Sequence, residues 1–313
     1  MVLRIGWIGT GVIGGSCVKR LLEAGLNVVV YNRSREKAEK LVPYGAIVAT
    51  DAYEVAAQSD VVFSTVGYPR DVRQIFFGER GVFNAWKNAP TADDGDKKIF
   101  VDMTTSSPSL AQEIDDAARN AGFDALDAPV SGGDVGARNG TLSIMVGGSP
   151  DVLERVKPTL SLLGTNIRLV GAAGSGQRTK MANQILIAGA MIGVCESLLY
   201  AYKAGLNLAD VFAVVSQGAA ASWSLTNYAP RIFKGDYNPG FYVEHFIKDM
   251  EIALDDSRAL NLSLPGLALV EQLYRALSAQ GGARKGTQAL VQALATLNNI
   301  DAFHDNQATV DVQ

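Results

Sequence analysis

A hydrophobic strand that runs straight into a glycine-rich turn constrains this chain more than any other feature. Leu3-Arg4-Ile5-Gly6-Trp7-Ile8 has the pattern of a short buried strand, and Gly9-Thr10-Gly11-Val12-Ile13-Gly14 follows it directly. A helical pattern with Val18, Leu21 and Leu22 on one side ends near Gly25, and Asn27 to Tyr31 reads as a second strand. The unit is therefore βαβ with glycines at its first turn. One glycine suits the tight turn, one lets backbone approach a pyrophosphate, and one lets helix and strand pack closely. Thr10, Val12 and Ile13 lie in the same loop, so the whole segment is a candidate dinucleotide site. A glycine turn that binds nothing is the plainer alternative.

The end of the second strand discriminates between dinucleotides. Where an NAD site offers Asp or Glu to the ribose hydroxyls, this chain has Asn32, followed by Arg33, Ser34 and Arg35. A neutral Asn32 does not repel a 2′-phosphate, and Arg33 can pair with one. The expectation is NADP(H) in preference, with NAD(H) possible. Both arginines also suit solvated charges opening the next helix.

Alternation of strand and helix continues through Asp60 to Val66, Ile99 to Met103, a helix over Leu110 to Ala121, Phe123 to Ala128, and Leu142 to Val146. A helix over Asp151 to Leu163 and a strand over Ile167 to Val170 complete the series. The pattern predicts a doubly wound α/β domain, with antiparallel pairing an option for the later strands at one edge. Asn88 to Lys98 reads as a polar surface loop. Asp127-Ala128-Pro129-Val130-Ser131-Gly132-Gly133 follows one of these strands at the carboxyl edge, where open sheets bind ligands. A serine hydroxyl with two unencumbered backbone amides suits a carboxylate, and equally suits an ordinary turn.

Beyond Gly171 the alternation stops and helical periodicity takes over. The expected organisation is a nucleotide-binding domain over 1–173, a long interdomain helix over 174–204, and an all-helical domain over 205–313. The helix opens with Gly174-Ser175-Gly176-Gln177-Arg178-Thr179-Lys180-Met181-Ala182-Asn183-Gln184. At helical pitch Lys180, Asn183 and Gln184 share one face. Apolar neighbours destabilise an ammonium as a charge, which moves a lysine toward the range useful for proton transfer. A solvated lysine in a first helical turn is the competing reading. The helix carries more apolar surface than one small domain needs, which suits a subunit interface.

The totals exclude several classes. The 313 residues carry a net charge of −4 with a sequence pI of about 5.3, which gives no footprint for nucleic acid or a polybasic membrane patch. The apolar run from Ile185 to Cys195 is shorter than a bilayer requires. Cys17 and Cys195 sit among apolar residues and read as buried thiols, consistent with a reducing cytoplasm. The N-terminus shows no signal-peptide pattern. With only His245 and His304, no metal site is expected.

Gly9 to Gly14, Asp127 to Gly133, Gly174 to Gln184 and Lys248-Asp249 stand in an order that resembles the β-hydroxyacid dehydrogenases, the family of 3-hydroxyisobutyrate dehydrogenase, tartronate semialdehyde reductase and, more distantly, 6-phosphogluconate dehydrogenase. The resemblance covers nearly the whole chain. It implies a Rossmann domain, a linking helix and a helical domain in a homodimer or homotetramer, acting on a small carboxylate-bearing substrate. By the same resemblance Lys180 matches the catalytic lysine, with Asn183 as its favoured amide helper and Gln184 nearby. Ser131, Gly132 and Gly133 match the substrate-carboxylate turn. Val66, Gly67 and Thr105 match positions lining the cofactor, and Lys248 a lysine near the nicotinamide. Gly281 to Gln288 departs from the Asp and Ser that relatives often carry in a glycine-rich turn there. Two other readings compete: an imine reductase, whose relatives commonly replace the lysine by Asp or Tyr, and a dinucleotide-binding scaffold that has lost catalysis.

Overall fold

The computed structural model describes residues 3–87 and 97–300. Most of the expected polar loop from Asn88 to Lys98, and all of the region holding His304, lies outside the described residues. The strands are β1 (Ile5–Ile8), β2 (Val28–Tyr31), β3 (Ile47–Val48), β4 (Val61–Ser64), β5 (Ile99–Asp102), β6 (Asp124–Asp127), β7 (Val130–Ser131), β8 (Leu142–Gly147) and β9 (Gly164–Gly171). The helices of the same part are α1 (Val12–Glu23), α2 (Arg35–Glu39), α3 (Ala52–Ala57), α4 (Pro69–Phe77), α5 (Val82–Trp86), α6 (Pro108–Asn120), α7 (Gly133–Asn139) and α8 (Pro150–Leu160). Then come α9 (Ser175–Lys203), α10 (Leu208–Val215), α11 (Trp223–Phe233), α12 (Val243–Ala259), α13 (Pro265–Leu277) and α14 (Leu290–Leu297).

The chain forms two compact units, residues 1–180 and 181–313, so the cut falls within α9 just after Lys180. In the first unit the sheet order is β3-β2-β1-β4-β5-β6-β8-β7, with β9 paired to β8. Strands β1 to β6 pair in parallel, β8 runs antiparallel to β6 and β7, and β9 returns parallel to β8. This is the Rossmann-type doubly wound arrangement, and the antiparallel option at the edge is realised in β8.

Period-two alternation assigns residues to the two faces of that sheet. Ile5, Trp7, Val28, Val30, Val61, Phe63, Ile99 and Val101 pack into one cluster. Ile8, Val29, Val62 and Phe100, their neighbours in sequence, pack into the other with Val72, Phe76 and Trp86. Both faces are covered, which is why these strands read as unbroken apolar runs. Gly6 has no room for a side chain: a Cβ there would stand 2.5 Å from the Val55 side chain.

The second unit is helical, with a core that includes Met191, Val194, Cys195 and Leu198 of α9 together with Phe246, Met250, Tyr274 and Leu290. Its strand content among the described residues is an isolated bridge between Tyr242 and Gly286. Helix α9 spans 29 residues, and its most apolar stretch has a mean hydropathy of 1.7, enough by length and composition to cross a membrane. The contiguous run counted in the sequence therefore understates the element. Ala188, Met191 and Cys195 are fully buried in protein, as in the core helix of a globular domain, whereas Leu186 and Tyr200 are exposed. Both cysteines are buried and unbridged. Burial pushes the Cys17 thiol up to about 12 and raises Cys195 as well, so neither is poised as a nucleophile.

Candidate active site

The first part of the site grows from the register of the sheet. Tyr31, Ile8, Ser64, Asp102 and Asp127 stand side by side as the last residues of β2, β1, β4, β5 and β6. The residues that follow them line the carboxyl edge, where a doubly wound sheet binds its ligand.

The glycine loop is built as the sequence pattern requires, and its glycines have different causes. Gly9 has φ of 95°, and a Cβ on it would meet the Thr65 carbonyl oxygen at 2.1 Å. On Gly14 a Cβ would meet the Gly9 carbonyl oxygen at 2.0 Å. Trp7 Nε1 donates to that oxygen at 3.1 Å and to Thr65 Oγ1 at 2.9 Å, locking the turn. Gly11 is different, because nothing lies within 4 Å of where its Cβ would be. Internal packing does not demand a glycine there, whereas close approach of a phosphate does. Thr10 Oγ1 is buried without a hydrogen-bond partner in the protein, a group a ligand would satisfy. These residues fit a dinucleotide, whose pyrophosphate would be held by the backbone of Gly9 to Gly14 and the first amides of α1.

At the end of β2, Asn32 Oδ1 accepts from the Thr10 amide at 2.9 Å and Asn32 Nδ2 donates to the Ser34 carbonyl at 3.0 Å. Asn32 thus ties the strand end to the glycine loop, in addition to leaving it neutral. Arg35 is committed to Glu39 at 2.8 Å. The Arg33 side chain is 89% exposed, with a loose contact to Asp71 at 3.8 Å.

A buried polar bracket holds the base of α9. Asp127 Oδ1 accepts from the Gly174 amide and Oδ2 from the Gln177 amide, each at 2.8 Å. A carboxylate on the first amides of a helix satisfies orphan donors and complements the helix dipole. Gly147 and Gly176 make room for it, since a Cβ on either would stand within 2.8 Å of Asp127 carboxylate oxygens. The Gln177 side chain accepts from the Ser106 amide and donates to the Thr104 carbonyl, both at 2.8 Å. Thr104 Oγ1 in turn accepts from the Val66 amide at 3.0 Å. Asp102 accepts from Ser64 Oγ at 2.7 Å and from the Thr104 amide at 3.0 Å. Burial outweighs those bonds and raises the Asp102 carboxyl to about 6. Burial raises Asp127 as well, against its backbone donors. Val66 and Thr105, named from the sequence as cofactor-lining, are half-buried beside this bracket, and Lys180 stands one turn beyond Gln177 at 7% exposure.

Ser131 closes β7, and Gly132 and Gly133 follow as exposed backbone with φ of 121° and 62°. A side chain on Gly133 would meet nothing within 4 Å, whereas one on Gly132 would meet the Leu142 side chain at 3.4 Å.

A second polar cluster belongs to the helical unit. Gln184 Nε2 donates to Asp249 Oδ2 at 2.6 Å, and Asn183 Nδ2 donates to Gln184 Oε1 at 2.8 Å. Asp249 Oδ1 lies 2.7 Å from the Lys248 ammonium, with side chains 1% and 9% exposed. Burial, then the Lys248 charge, lowers His245, whose ring stacks on Phe241. Trp223 is exposed. The divergent turn near Gly286 is anchored by Gln288, which donates to the Asp236 and Asn238 carbonyls.

Residues 4–171 match the family model described as the NAD binding domain of 6-phosphogluconate dehydrogenase, and residues 174–294 match the one described as NAD-binding of NADP-dependent 3-hydroxyisobutyrate dehydrogenase. The chain belongs to the β-hydroxyacid dehydrogenase family. It is 48% identical over 290 residues to an uncharacterized oxidoreductase of Bacillus subtilis, covering 93% of this chain and 98% of that protein. It is 39% identical over 297 residues to the 2-hydroxy-3-oxopropionate reductase of Escherichia coli, covering 95% of this chain and 99% of that protein. A solved 3-hydroxyisobutyrate dehydrogenase from Mycobacterium tuberculosis superposes with a TM-score of 0.83 at 28% identity, covering 94% of this chain and 99% of that one. As a β-hydroxyacid dehydrogenase the chain is an NAD(P)-dependent oxidoreductase with a nicotinamide dinucleotide cofactor.

Sequence reasoning named Lys180 and the glycine loop but gave no role to Asp127, Gln177, Thr104 or Asp249. Gln177 carried a usable signal, since it precedes Lys180 by three and Gln184 by seven, which is one helix face.

Proposed function

We propose that this β-hydroxyacid dehydrogenase moves a hydride between NADP(H) and a small 3-hydroxy acid or its semialdehyde, with Lys180 exchanging the hydroxyl proton. The observation that carries the reading is a buried lysine, 7% exposed, on the helix turn next to the bracket of Asp127 and Gln177. The bound nicotinamide supplies or accepts the hydride. In oxidation Lys180 takes the proton that leaves the hydroxyl; in reduction it returns that proton to the new alkoxide. Asn183, steadied by Gln184, orients the substrate hydroxyl. The Ser131 hydroxyl and the amides of Gly132 and Gly133 hold the carboxylate, which fixes the carbon bearing the hydride. Lys248 is assigned to the nicotinamide side by resemblance to the family.

Preference for NADP(H) rests on three features. Asn32 puts no carboxylate at the end of β2, Arg33 is 89% exposed, and Arg35 is held by Glu39. Arg33 is thus the guanidinium available for a 2′-phosphate.

The test is a panel of 3-hydroxyisobutyrate, glycerate and 3-hydroxypropionate with their semialdehydes, plus glyoxylate, succinic semialdehyde and a cyclic imine, each with both cofactors. Turnover of a hydroxy acid or semialdehyde with higher kcat/KM for NADPH than NADH is expected. Turnover of the imine alone would replace the assignment, and tight NADPH binding with no turnover would point to a scaffold.

A further inference from the structure

Gln177 does more than continue a helix. It is fully buried, and both ends of its amide are used on a segment more than 70 positions earlier in the chain: Oε1 takes the Ser106 amide and Nε2 donates to the Thr104 carbonyl. These bonds flank Thr105. Thr104 Oγ1 holds the Val66 amide, so the two loops after β4 and β5 and the base of α9 are joined through two side chains, Gln177 and Thr104. Asp127 fixes the Gln177 backbone from β6, leaving the amide little freedom to turn. A polar side chain buried at this depth with complementary partners at both ends defines a single geometry.

We propose that Gln177 is a positioning residue for Lys180: its amide transmits the placement of the cofactor-lining segment 104–106 to the helix turn that carries the lysine. The inference rests on the dehydrogenase reading for Lys180 but concerns a link that exists without turnover. Displacing a proton-transfer group by about 1 Å costs on the order of a hundredfold in rate. The link also gives bound cofactor a route to order α9.

The test uses the full chain with Gln177→Leu and Gln177→Glu, read by hydrogen exchange with and without NADPH and by steady-state kinetics. In the wild type, NADPH slows exchange at residues 9–14 and also at residues 174–184. In Gln177→Leu the first protection stays and the second is lost, and kcat falls about ten- to a hundredfold with a much smaller change in the NADPH KM. Gln177→Glu keeps the volume and adds a pH signature. Its carboxylate repels the Thr104 carbonyl, whereas its protonated form donates to it, so kcat relative to wild type recovers as pH falls. The charged groups around that carboxyl are Asp127 against the Gln177 amide, Asp102 behind Thr104, Asp115 near Asp127, and Lys180 one turn on. The three carboxylates favour the protonated glutamic acid. Retained protection at 174–184 in Gln177→Leu with kcat within about twofold of wild type would overturn the proposal, whatever the change in Tm. Loss of protection in both segments would do so too, as a defect of cofactor binding. A wild type without turnover would instead defeat the dehydrogenase reading, and the exchange data alone would then decide the link.

Discussion

Helix α9 is held by two polar clusters of opposite construction, one before Lys180 and one after it. The earlier cluster, Asp127 with Gln177, Thr104 and Asp102, uses backbone amides and the Ser64 hydroxyl as donors to buried carboxylates, while the Gln177 side-chain amide bonds to backbone groups. The later one, Gln184 with Asp249 and Lys248, holds its carboxylate with a buried ammonium. Neutral donors fix direction at modest energy and leave the carboxylates free to take up protons. An ion pair makes each partner depend on the other, because removing one leaves a charge in a low-dielectric interior. The first cluster suits holding a geometry, the second holding a charge.

The largest effect expected from this contrast is at Asp249. Asp249→Ala leaves Lys248 buried without its 2.7 Å partner and should cost about 3–5 kcal/mol in urea unfolding. A loss under about 1 kcal/mol would mean that the ammonium is solvated and the contrast false.

Next comes pH. The Asp102 carboxyl, raised by burial to about 6 from 3.8, keeps its proton in the folded chain where the unfolded chain has lost it. Its contribution to stability is complete below pH 3.8 and disappears as pH rises through about 6. Asp60, held low by Arg4, contributes with the opposite sign, so the measurement is a difference between variants. Asp102→Asn should remove a pH-dependent term on the order of 3 kcal/mol, making wild type lose stability between pH 4 and 7 relative to the variant. Parallel stability curves would show that Asp102 is ionised throughout.

A smaller loss is expected at Asp127. Asp127→Asn keeps one acceptor and turns an NH₂ toward the other backbone amide, costing about 1–3 kcal/mol. If it costs more than Asp249→Asn, the ranking of neutral donors below the ion pair is wrong.

Smallest in free energy is Arg33→Ala, which should weaken NADPH binding about tenfold, some 1.4 kcal/mol, and leave NADH binding unchanged. Equal effects on both cofactors would remove Arg33 from 2′-phosphate recognition.

Much of the fold was legible because its elements are long and periodic. The helices expected over Leu110 to Ala121 and Asp151 to Leu163 form as Pro108–Asn120 and Pro150–Leu160, and the strands from β1 to β6, β3 apart, follow their apolar runs. The two-residue strands β3 and β7 and the short helices α3 and α5 were not, since they have too few residues to show a period and are defined by what they pack against. In the site, Lys180 and the glycine loop are local motifs. Asp127 and Gln177 make contacts 47 to 73 positions away, so their partners exist only after the sheet has formed. Gly11 shows a third case: its conformation is ordinary, and the reason for a glycine is visible only as the space left beside it.

The central claim is that Lys180 exchanges the proton, and the most direct measurement is the turnover of Lys180→Ala with NADPH and the best semialdehyde of the panel, alongside NADPH affinity by calorimetry. Turnover should fall about a hundred- to ten-thousandfold while NADPH binds as it does to the wild type. Near-wild-type turnover in that variant would contradict the account.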